Sequence, residues 1–344
     1  NVINVKDPSR RWLTVVAETN KTLAKAGFNN FNDLKKRYSN TGNPLNKEDS
    51  LNLYVRYHIL PGAKYLADVI TATSHTTLAP LEVVTSKLEE QAVLLNDDEF
   101  NGVREPGVVI DRATSDNSAT NGVLHVSQGH FVIKVRKPVP IYWDVADFPE
   151  IRKLPAYFRK KNYDFAYASV KDITWEKNSI TYVWGTSASF PTYWGDYLMV
   201  PLGTQAARNL WIEFKTPMLV KGRYKVWVCY RYQRQSSGST NVCQVSLDGE
   251  PLTRPVIFTD QAPAGTAGEL EALGWKLFSD TGTDRNMAGR MVGTVNITTT
   301  DRHTIRLQSI SGGQNNNNLD MIHFIPIEMN QISPRFGRDG SLIK

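Results

Sequence analysis

A mixed α/β domain followed by an all-β sandwich is the fold class that the sequence predicts. Three observations predict it: the chain length, a first part with both helix and strand patterns, and a second part made almost wholly of short strands. The chain has 344 residues, more than one domain usually holds, and its hydrophobic content of 41% is sufficient for two cores. We expect a first domain at residues 1–145, a linker at 146–172, a second domain at 173–330 and a tail at 331–344.

The first part alternates strand and helix signals. Residues 12–16 are rich in β-branched side chains and are followed by Thr19 and Asn20, either of which can cap a helix. Phe31–Tyr38 repeats apolar residues at spacings of three and four, as an amphipathic helix does, and residues 49–59 do the same. Shorter strand-like stretches follow between polar turns, at 81–88, 92–95, 107–110, 123–126 and 131–135.

Three motifs in this part resemble those of fasciclin-like adhesion domains. Thr14–Asn20 is similar to the first motif, Tyr57 and His58 with Ile59–Gly62 to the central Tyr-His motif, and Asn121–Val126 to the second conserved box. The resemblance spans about residues 11–138 and implies a mixed α+β fold whose Tyr57 and His58 lie near adhesion contacts. These two residues are the candidate adhesion residues.

The sequence departs from that family at both ends of the pattern. Glu18 stands where the family usually has proline, and the last motif continues as Ser127-Gln128 rather than Ile-Asp. Only about ten residues precede the first motif, so we expect an N-terminally truncated domain. These motifs also have a structural interpretation that we favour: a capped helix start over Thr14–Asn20, a left-handed turn at Asn121-Gly122, and a packed histidine at His125 bonded to backbone.

From Ile173 onward the pattern is almost wholly β, which indicates a two-sheet sandwich. Residues 222–231 alternate, so one parity predicts a buried face (Tyr224, Val226, Val228) and the other a partly exposed face (Lys225, Trp227, Cys229, Arg231). The order of Gly222–Val228, Val245–Gly249 and Leu319–Pro326 resembles the galactose-binding-like jelly rolls found among carbohydrate-binding modules. This second resemblance covers about residues 173–327.

The two cysteines, Cys229 and Cys243, flank a polar turn and can face each other across a hairpin. Their opposite parity relative to neighbouring apolar residues points the side chains to different faces, so we predict free or buried thiols, with a disulfide as the alternative.

Sugar-binding sandwiches use flat aromatic rings against pyranose C–H faces, with polar groups nearby. The candidate ligand-binding residues are therefore the loop residues Trp184, Tyr193, Trp194, Asp196 and, in a second insertion, Trp275, with packing as the alternative. We assign Trp211 and Trp227 to the core. The run at residues 315–318, four asparagines, is predicted to be a solvated turn, with sugar hydrogen bonding as the alternative.

Composition and motifs exclude several function classes. The net charge is 40 − 34 = +6, too small an excess for nucleic-acid binding, and no apolar run reaches membrane-spanning length. No phosphate loop, metalloprotease helix or nucleophile elbow is present, so we expect no enzyme activity. Hidden carboxylates remain open, with Glu213, Asp248 and Asp320 as the nameable ones.

Metal binding is not predicted by spacing. His303 and His323 supply at most half a metal site. The jelly-roll resemblance allows a structural Ca²⁺ whose ligands the sequence does not identify, and no other cofactor is expected.

The sequence thus predicts a non-catalytic cell-surface adhesion or glycan-binding protein. The first domain would contact a surface or matrix protein, and the sandwich a carbohydrate or another partner. We expect an extracellular or cell-surface location, including that of a bacterial outer-membrane lipoprotein whose leader has been removed. A polysaccharide-acting enzyme and a purely architectural component of an envelope complex are the alternatives.

Overall fold

The computed structural model describes residues 12–100, 102–185, 191–232, 240–312 and 315–344. The chain divides into two compact units. Unit 1 comprises residues 1–137 with Thr298–Asp301, and unit 2 comprises Pro138–Ile297 with Arg302–Lys344. The division falls at Lys137, so the predicted boundary at residue 145 lies too far along the chain.

Unit 1 is built from short helices and small sheets. Its sheets have the strand orders β2-β1-β10-β9, β3-β4-β5-β8 and β6-β7. The helices are α1 (Asn20–Lys25), α2 (Phe31–Tyr38), α3 (Ser50–Tyr57) and α4 (Leu66–Thr71). The strands are β1 (Leu13–Glu18), β2 (Ile59–Pro61), β3 (Ser74–Thr76), β4 (Val83–Glu89), β5 (Ala92–Leu95), β6 (Asp98–Phe100), β7 (Val103–Glu105), β8 (Val108–Val109), β9 (Asn117–Ala119) and β10 (Gly122–Ser127).

The predicted helix starts in unit 1 are confirmed. The Thr19 side chain accepts a hydrogen bond from the Thr22 backbone N–H and caps α1. A reciprocal capping box between Asn30 and Asp33 starts α2, and Asp49 caps α3. Local polar residues therefore fix where these short helices begin.

The three motifs of the first part lie on adjacent strands of one sheet. Strand β1 pairs in parallel with β10 and antiparallel with β2, so the motif strands sit side by side. His125 on β10 is fully buried, and its Nε2 lies 2.8 Å from the backbone oxygen of Lys64. Thr14 is also fully buried and donates to the Gly62 carbonyl at 2.8 Å. The capped helix start and the packed histidine at His125 are confirmed. The predicted left-handed turn at Asn121-Gly122 is wrong, because neither residue has a positive φ; Gly122 instead begins β10, where its lack of a side chain allows close approach to the Leu13 backbone.

Unit 2 is dominated by two large sheets. The larger sheet has the order β12-β14-β15-β24-β17-β22-β21 with β11 also on β24, and the smaller has β13-β16-β23-β18-β19 with β20 on β18. The elements are β11 (Ile141–Asp144), α5 (Pro149–Arg152), β12 (Tyr163–Phe165), β13 (Ile173–Trp175), β14 (Ile180–Trp184), β15 (Asp196–Leu202), β16 (Trp211–Leu219), β17 (Gly222–Arg231), β18 (Val242–Leu247), β19 (Glu250–Pro251), β20 (Val256–Ile257), α6 (Ala267–Ala272), β21 (Trp275–Leu277), β22 (Met287–Ile297), β23 (Asp301–Ser311), β24 (Asn315–Pro326), β25 (Arg335–Phe336) and β26 (Leu342–Ile343).

The principal core of unit 2 lies between these sheets. Phe214 and Leu307 face inward from the smaller sheet, and Val226, Val228 and Phe324 face inward from the larger. Each of the five is at most 1% exposed. Burial of such side chains stabilises a fold by roughly 1.5–3 kcal/mol each. The predicted β-sandwich is confirmed.

A second apolar layer covers the opposite side of the larger sheet. Trp227 and Cys229 are fully buried there against Phe278, Met287 and Phe336. The prediction of a partly exposed face at Trp227 and Cys229 is therefore wrong, because Phe278, Met287 and Phe336 pack on that face. Trp227 is a core residue, as predicted.

The predicted linker and tail are parts of unit 2. Phe148, Ile151 and Phe165, within the predicted linker, belong to the principal core. In the predicted tail, Phe336 joins the second apolar layer and Gln331 is 3% exposed. No helix of the described ranges is both long and apolar enough to cross a bilayer.

The cysteines are free and buried, as predicted, but for a different reason. Cys229 is on β17 in the larger sheet, whereas Cys243 is on β18 in the smaller sheet. The two strands do not form the predicted hairpin, so the thiols never face each other.

The sequence-based prediction for the asparagine run is also wrong. Residues 315–318 begin β24 and pair with β15, where Asn317 lies opposite Val200 and Asn318 opposite Met199. Both side chains are 1% exposed. The predicted solvated turn is wrong because pairing with a buried strand overrides the low β-propensity of asparagine.

Candidate functional site

The predicted loop aromatics of unit 2 are packed under cations rather than presented as an open surface. The Arg159 guanidinium lies 3.8 Å from the Trp194 ring centroid, and the Arg338 guanidinium lies 5.3 Å from that of Trp184. Trp184 also packs against the principal core, and Tyr193 against the second apolar layer. Cation–π contacts of this kind stabilise packing by roughly 0.5–2 kcal/mol.

Trp194 is additionally held by its backbone and by a glycine. Its φ is 58°, in the left-handed region. Gly340 lies so close to the indole that a β-carbon at residue 340 would collide with it. This packing does not favour sugar stacking on Trp194, and the predicted role of Trp184, Tyr193 and Trp194 in binding stays a prediction.

Trp275 is in a similar environment on the other edge of the larger sheet. It lies opposite Arg290 in the β21–β22 pair, with the guanidinium 4.6 Å from its ring. The indole also contacts the principal core. One side of this ring is thus covered by a cation before any ligand binds.

Asp196 lies in a group of buried carboxylates. It is fully buried, and its Oδ2 accepts a hydrogen bond from the Tyr182 hydroxyl at 2.7 Å. Burial raises the pKa of Asp196 to about 6, although Tyr182 and Arg159 act in the opposite direction. Burial, reinforced by neighbouring carboxylates, also raises the pKa of Asp144 and of Asp320.

These groups contain oxygens that no protein donor satisfies. Asp144 Oδ2, Asp196 Oδ1, Asp320 Oδ1 and Thr192 Oγ1 are buried without a hydrogen-bond partner. Oxygen donors of this type suit Ca²⁺. Among the residues that the structure describes, however, no three His, Cys, Asp or Glu side chains are grouped closely enough to hold a metal ion. The carboxylates therefore do not form a direct chelating set in this arrangement.

The two predicted histidines do not meet. His323, on the larger sheet, is fully buried, and its Nδ1 lies 2.9 Å from Lys276 Nζ. His303, on the smaller sheet, lies 2.6 Å from Asp248. The half metal site suggested by the sequence is wrong, because the two strands belong to different sheets.

In unit 1 the candidate adhesion residues are internal. Tyr57 is 3% exposed, donates to the Val83 carbonyl at 3.0 Å and accepts from Asn96. His58 is 7% exposed, and its Nε2 lies 3.1 Å from Glu18. Both side chains are thus hydrogen-bonded to other residues of unit 1. Their part in adhesion stays a prediction.

Glu18, where the sequence departs from the fasciclin pattern, is the centre of a buried polar cluster. Its carboxylate accepts hydrogen bonds from Tyr54 at 3.0 Å, His130 at 2.7 Å, His58 at 3.1 Å and the backbone N–H of Phe131 at 2.9 Å. These donors outweigh the cost of burial and lower the pKa of Glu18 to about 2. A proline at this position would leave those donors without an acceptor.

The outer face of the smaller sheet of unit 2 carries a tryptophan together with charged groups. Trp211 is on β16 with the outward parity, because its neighbours Ile212 and Phe214 are buried in the core. The Arg306 guanidinium lies 4.2 Å from its ring, and Arg306 is 3.9 Å from Glu213. The core assignment of Trp211 is therefore wrong.

Polar side chains share the outer sheet face with Trp211 on the three successive strands β16, β23 and β18. Cross-strand pairs place Gln244 opposite Gln308 and Ser246 opposite Arg306. Within the described residues, no side-chain hydrogen bond engages Glu213, Arg306, Gln308 or Ser246, and the buried Nε of Arg306 has no partner. Arg306 and Glu213 are 32% and 34% exposed. We call Trp211, Glu213, Arg306, Gln308 and Ser246 the sheet-face platform.

The signal for this platform was present in the sequence. Trp211, Glu213 and Lys215 share one parity, and Ile212 and Phe214 share the other. A strand with two charged residues on one face turns that face outward, and Trp211 with it. Assigning tryptophan to the core by residue type alone hid this.

Comparison with known proteins finds low-level likeness only. No protein-family model and no curated protein matches the chain. Among solved structures, it is similar to a family 35 carbohydrate-binding module from Clostridium thermocellum, at 11% identity over 54% of this chain and 98% of the module, with a TM-score of 0.26. It is also similar to a Paenibacillus xanthan lyase, at 13% identity over 80% of this chain and 24% of the lyase, with a TM-score of 0.34. A third similar structure is the catalytic domain of an α-1,3-glucanase of glycoside hydrolase family 87, at 14% identity over 58% of this chain and 30% of that one, with a TM-score of 0.27.

TM-scores this low do not establish a shared fold, so the sandwich rests on the strand pairing within unit 2. The fasciclin resemblance of unit 1 receives no support from these comparisons and stays a prediction.

Proposed function

We propose that the chain is a non-catalytic glycan-binding protein that contacts sugar through the sheet-face platform of unit 2. The observation that carries this proposal is an outward tryptophan surrounded by donors and acceptors that make no hydrogen bond within the described residues. Sugar sites need this combination, because an indole covers apolar C–H groups while polar side chains bond the hydroxyls.

The platform offers both kinds of hydrogen-bonding group. Glu213 supplies acceptors, Arg306 supplies donors, and Gln308 and Ser246 supply both. Arg306 covers one face of the Trp211 ring, as cations do at Trp194 and Trp275, so the proposal assigns the sugar to the opposite face. Trp184 and Trp275 offer less ring surface to a sugar, because the principal core covers part of each ring.

Binding without turnover is part of the proposal. Of the carboxylates named from the sequence, Asp320 is fully buried, and Asp248 is engaged by His303 and by the backbone N–H of Thr304. Glu213 lies beside a cation. Glycoside hydrolysis requires two carboxylates on opposite sides of a substrate, and these placements support a binding role instead.

The finer functional assignment also belongs to this proposal. The chain acts outside the cytoplasm or at the cell surface, and unit 1 contributes contacts to a protein or matrix partner. Support for the second point comes from the three fasciclin-like motifs, which form neighbouring strands of a single sheet.

The test is to bind wild type and Trp211→Ala to a glycan array, and then to measure affinity for the best ligand by calorimetry. We expect the substitution to weaken binding at least tenfold, about 1.4 kcal/mol, with little change in Tm because the ring is outside the core.

Trp184→Ala is the matched control, since it removes the same side chain from a site that packs on the core. We expect it to lower Tm and to leave the affinity unchanged. Equal affinities of wild type and Trp211→Ala would refute the platform, and release of shortened glycans would refute the non-catalytic role.

A further inference from the structure

Two arginines of unit 2 converge beside Gly274. A guanidinium nitrogen of Arg254 and one of Arg290 both lie within 4 Å of the point that a β-carbon at residue 274 would occupy. Gly274 has a φ of +76°, and its missing side chain leaves the space into which both arginines extend. Like charges at this separation repel unless an anion lies between or beside them.

The backbone fixes both arginines in place. The Arg254 N–H donates to the Val292 carbonyl at 2.9 Å, which ties the segment between β19 and β20 to β22. Arg290, on β22, donates from Nη1 to the carbonyls of Leu273 and Gly274 at 2.8 and 3.1 Å. The hydrogen bonds of the two segments therefore hold the guanidinium groups close to each other.

The Asp260 carboxylate offsets only part of the Arg290 charge, from beyond salt-bridge distance. Across the described part of the chain, neither Arg254 nor Arg290 forms a salt bridge. Arg254 Nη1 is buried without any hydrogen-bond partner. Burial and the nearby Arg254 guanidinium lower the pKa of Arg290, against a weaker opposing effect of Asp260.

A purely structural role accounts for only half of this arrangement. Arg290 bonds carbonyls just beyond the C-terminus of α6, as basic side chains do at helix ends. Arg254 makes no such contact, and a buried donor without a partner costs roughly 1–3 kcal/mol. A ligand oxygen would satisfy it.

We propose that Arg254 and Arg290 bind an oxyanion, the carboxylate or sulfate group of an acidic glycan. Guanidinium groups match both oxyanions with paired hydrogen bonds. The surface is close, because the adjacent Leu273 is 59% exposed. That the oxyanion is carried by a glycan rests on the proposed function. The site is made of different residues from the sheet-face platform: Arg290 is on β22 of the larger sheet, and Arg254 is in the connection between β19 and β20.

The experiment compares wild type with Arg254→Gln, Arg290→Gln and the control Arg223→Gln. Arg223 is exposed on β17, so the control loses the same charge elsewhere. Polygalacturonate, dextran sulfate, neutral dextran and inorganic sulfate are titrated at fixed ionic strength, and circular dichroism checks folding of each variant. Arg254→Lys keeps the charge but removes the paired N–H groups.

We expect wild type and Arg223→Gln to bind at least one acidic polymer with affinities within twofold of each other. Arg254→Gln and Arg290→Gln should bind it at least tenfold more weakly, and Arg254→Lys should be intermediate. An acidic-polymer affinity that Arg254→Gln shares with Arg223→Gln would overturn the site, as would binding of inorganic sulfate alone.

The two proposals fail separately. Neutral-glycan binding that depends on Trp211, without any effect of the arginine variants, would overturn this inference and leave the proposed function intact. Acidic-polymer binding that depends on Arg254 but not on Trp211 would overturn the sheet-face platform and leave the arginine site intact.

Discussion

Replacing Asp196 with asparagine is expected to reduce the pH dependence of the stability of unit 2. Burial raises the pKa of this carboxyl from 3.8 to about 6. The folded protein therefore keeps a proton that the unfolded chain releases near pH 4. The stability from this group is fully present below about pH 4 and is lost as the pH rises through about 6.

The magnitude follows from the size of the shift. Two pKa units correspond to about 3 kcal/mol, so the free energy of unfolding of the wild type should fall by up to that amount between pH 4 and pH 7 because of Asp196. The Tyr182 hydroxyl can still donate to an asparagine oxygen at residue 196, so the substitution should remove this fall without emptying the site.

Urea unfolding at pH 4, 5, 6 and 7, in buffer containing EDTA, measures the effect. The chelator is included because a bound cation would replace the proton and hide the dependence. Asp164→Asn, at an exposed position on β12, is the matched control and should leave the slope unchanged. If Asp196→Asn and wild type lost stability equally over this range, the carboxyl would have to be ionised in the folded protein, and the reasoning would be refuted.

Two further substitutions test packing and the buried polar cluster. Glu18→Gln should lower the free energy of unfolding of unit 1 by roughly 2 kcal/mol, because an amide nitrogen must then face donors that now meet a carboxylate; exposed Glu48→Gln should have no effect in the same urea titration. Gly340→Ala should destabilise unit 2 by about 1–3 kcal/mol more than Gly249→Ala, since both have positive φ but only Gly340 lies against the Trp194 ring. Equal Tm changes for the two glycine variants would show that the indole moves aside easily.

Local patterns in the sequence predicted much of the fold. The helix cap at Thr19 was one of the two candidates that the sequence offered, and alternation along β17 identified Val226 and Val228 as core residues. These features depend only on neighbours in the chain, so they can be read without knowledge of the tertiary structure.

Features that depend on distant parts of the chain were missed. Trp227 and Cys229 are buried because Phe336, more than a hundred residues later, covers the sheet. Arg254 and Arg290 meet because the connection between β19 and β20 is hydrogen-bonded to β22. No periodicity in the sequence encodes such meetings, and the same limit applies to the buried carboxylates Asp144 and Asp320.

Strand β24 determines when unit 2 can be completed. It pairs with β11, β15 and β17, so the penultimate part of the chain forms the middle of the larger sheet and also contacts its first strand. Pairing Ile141 with Phe324 closes nearly the whole unit into one long loop, which favours slow folding. During synthesis, the edges of β11, β15 and β17 that pair with β24 therefore stay unpaired until β24 has left the ribosome. Unit 2 reaches its native topology only after residue 326 has emerged.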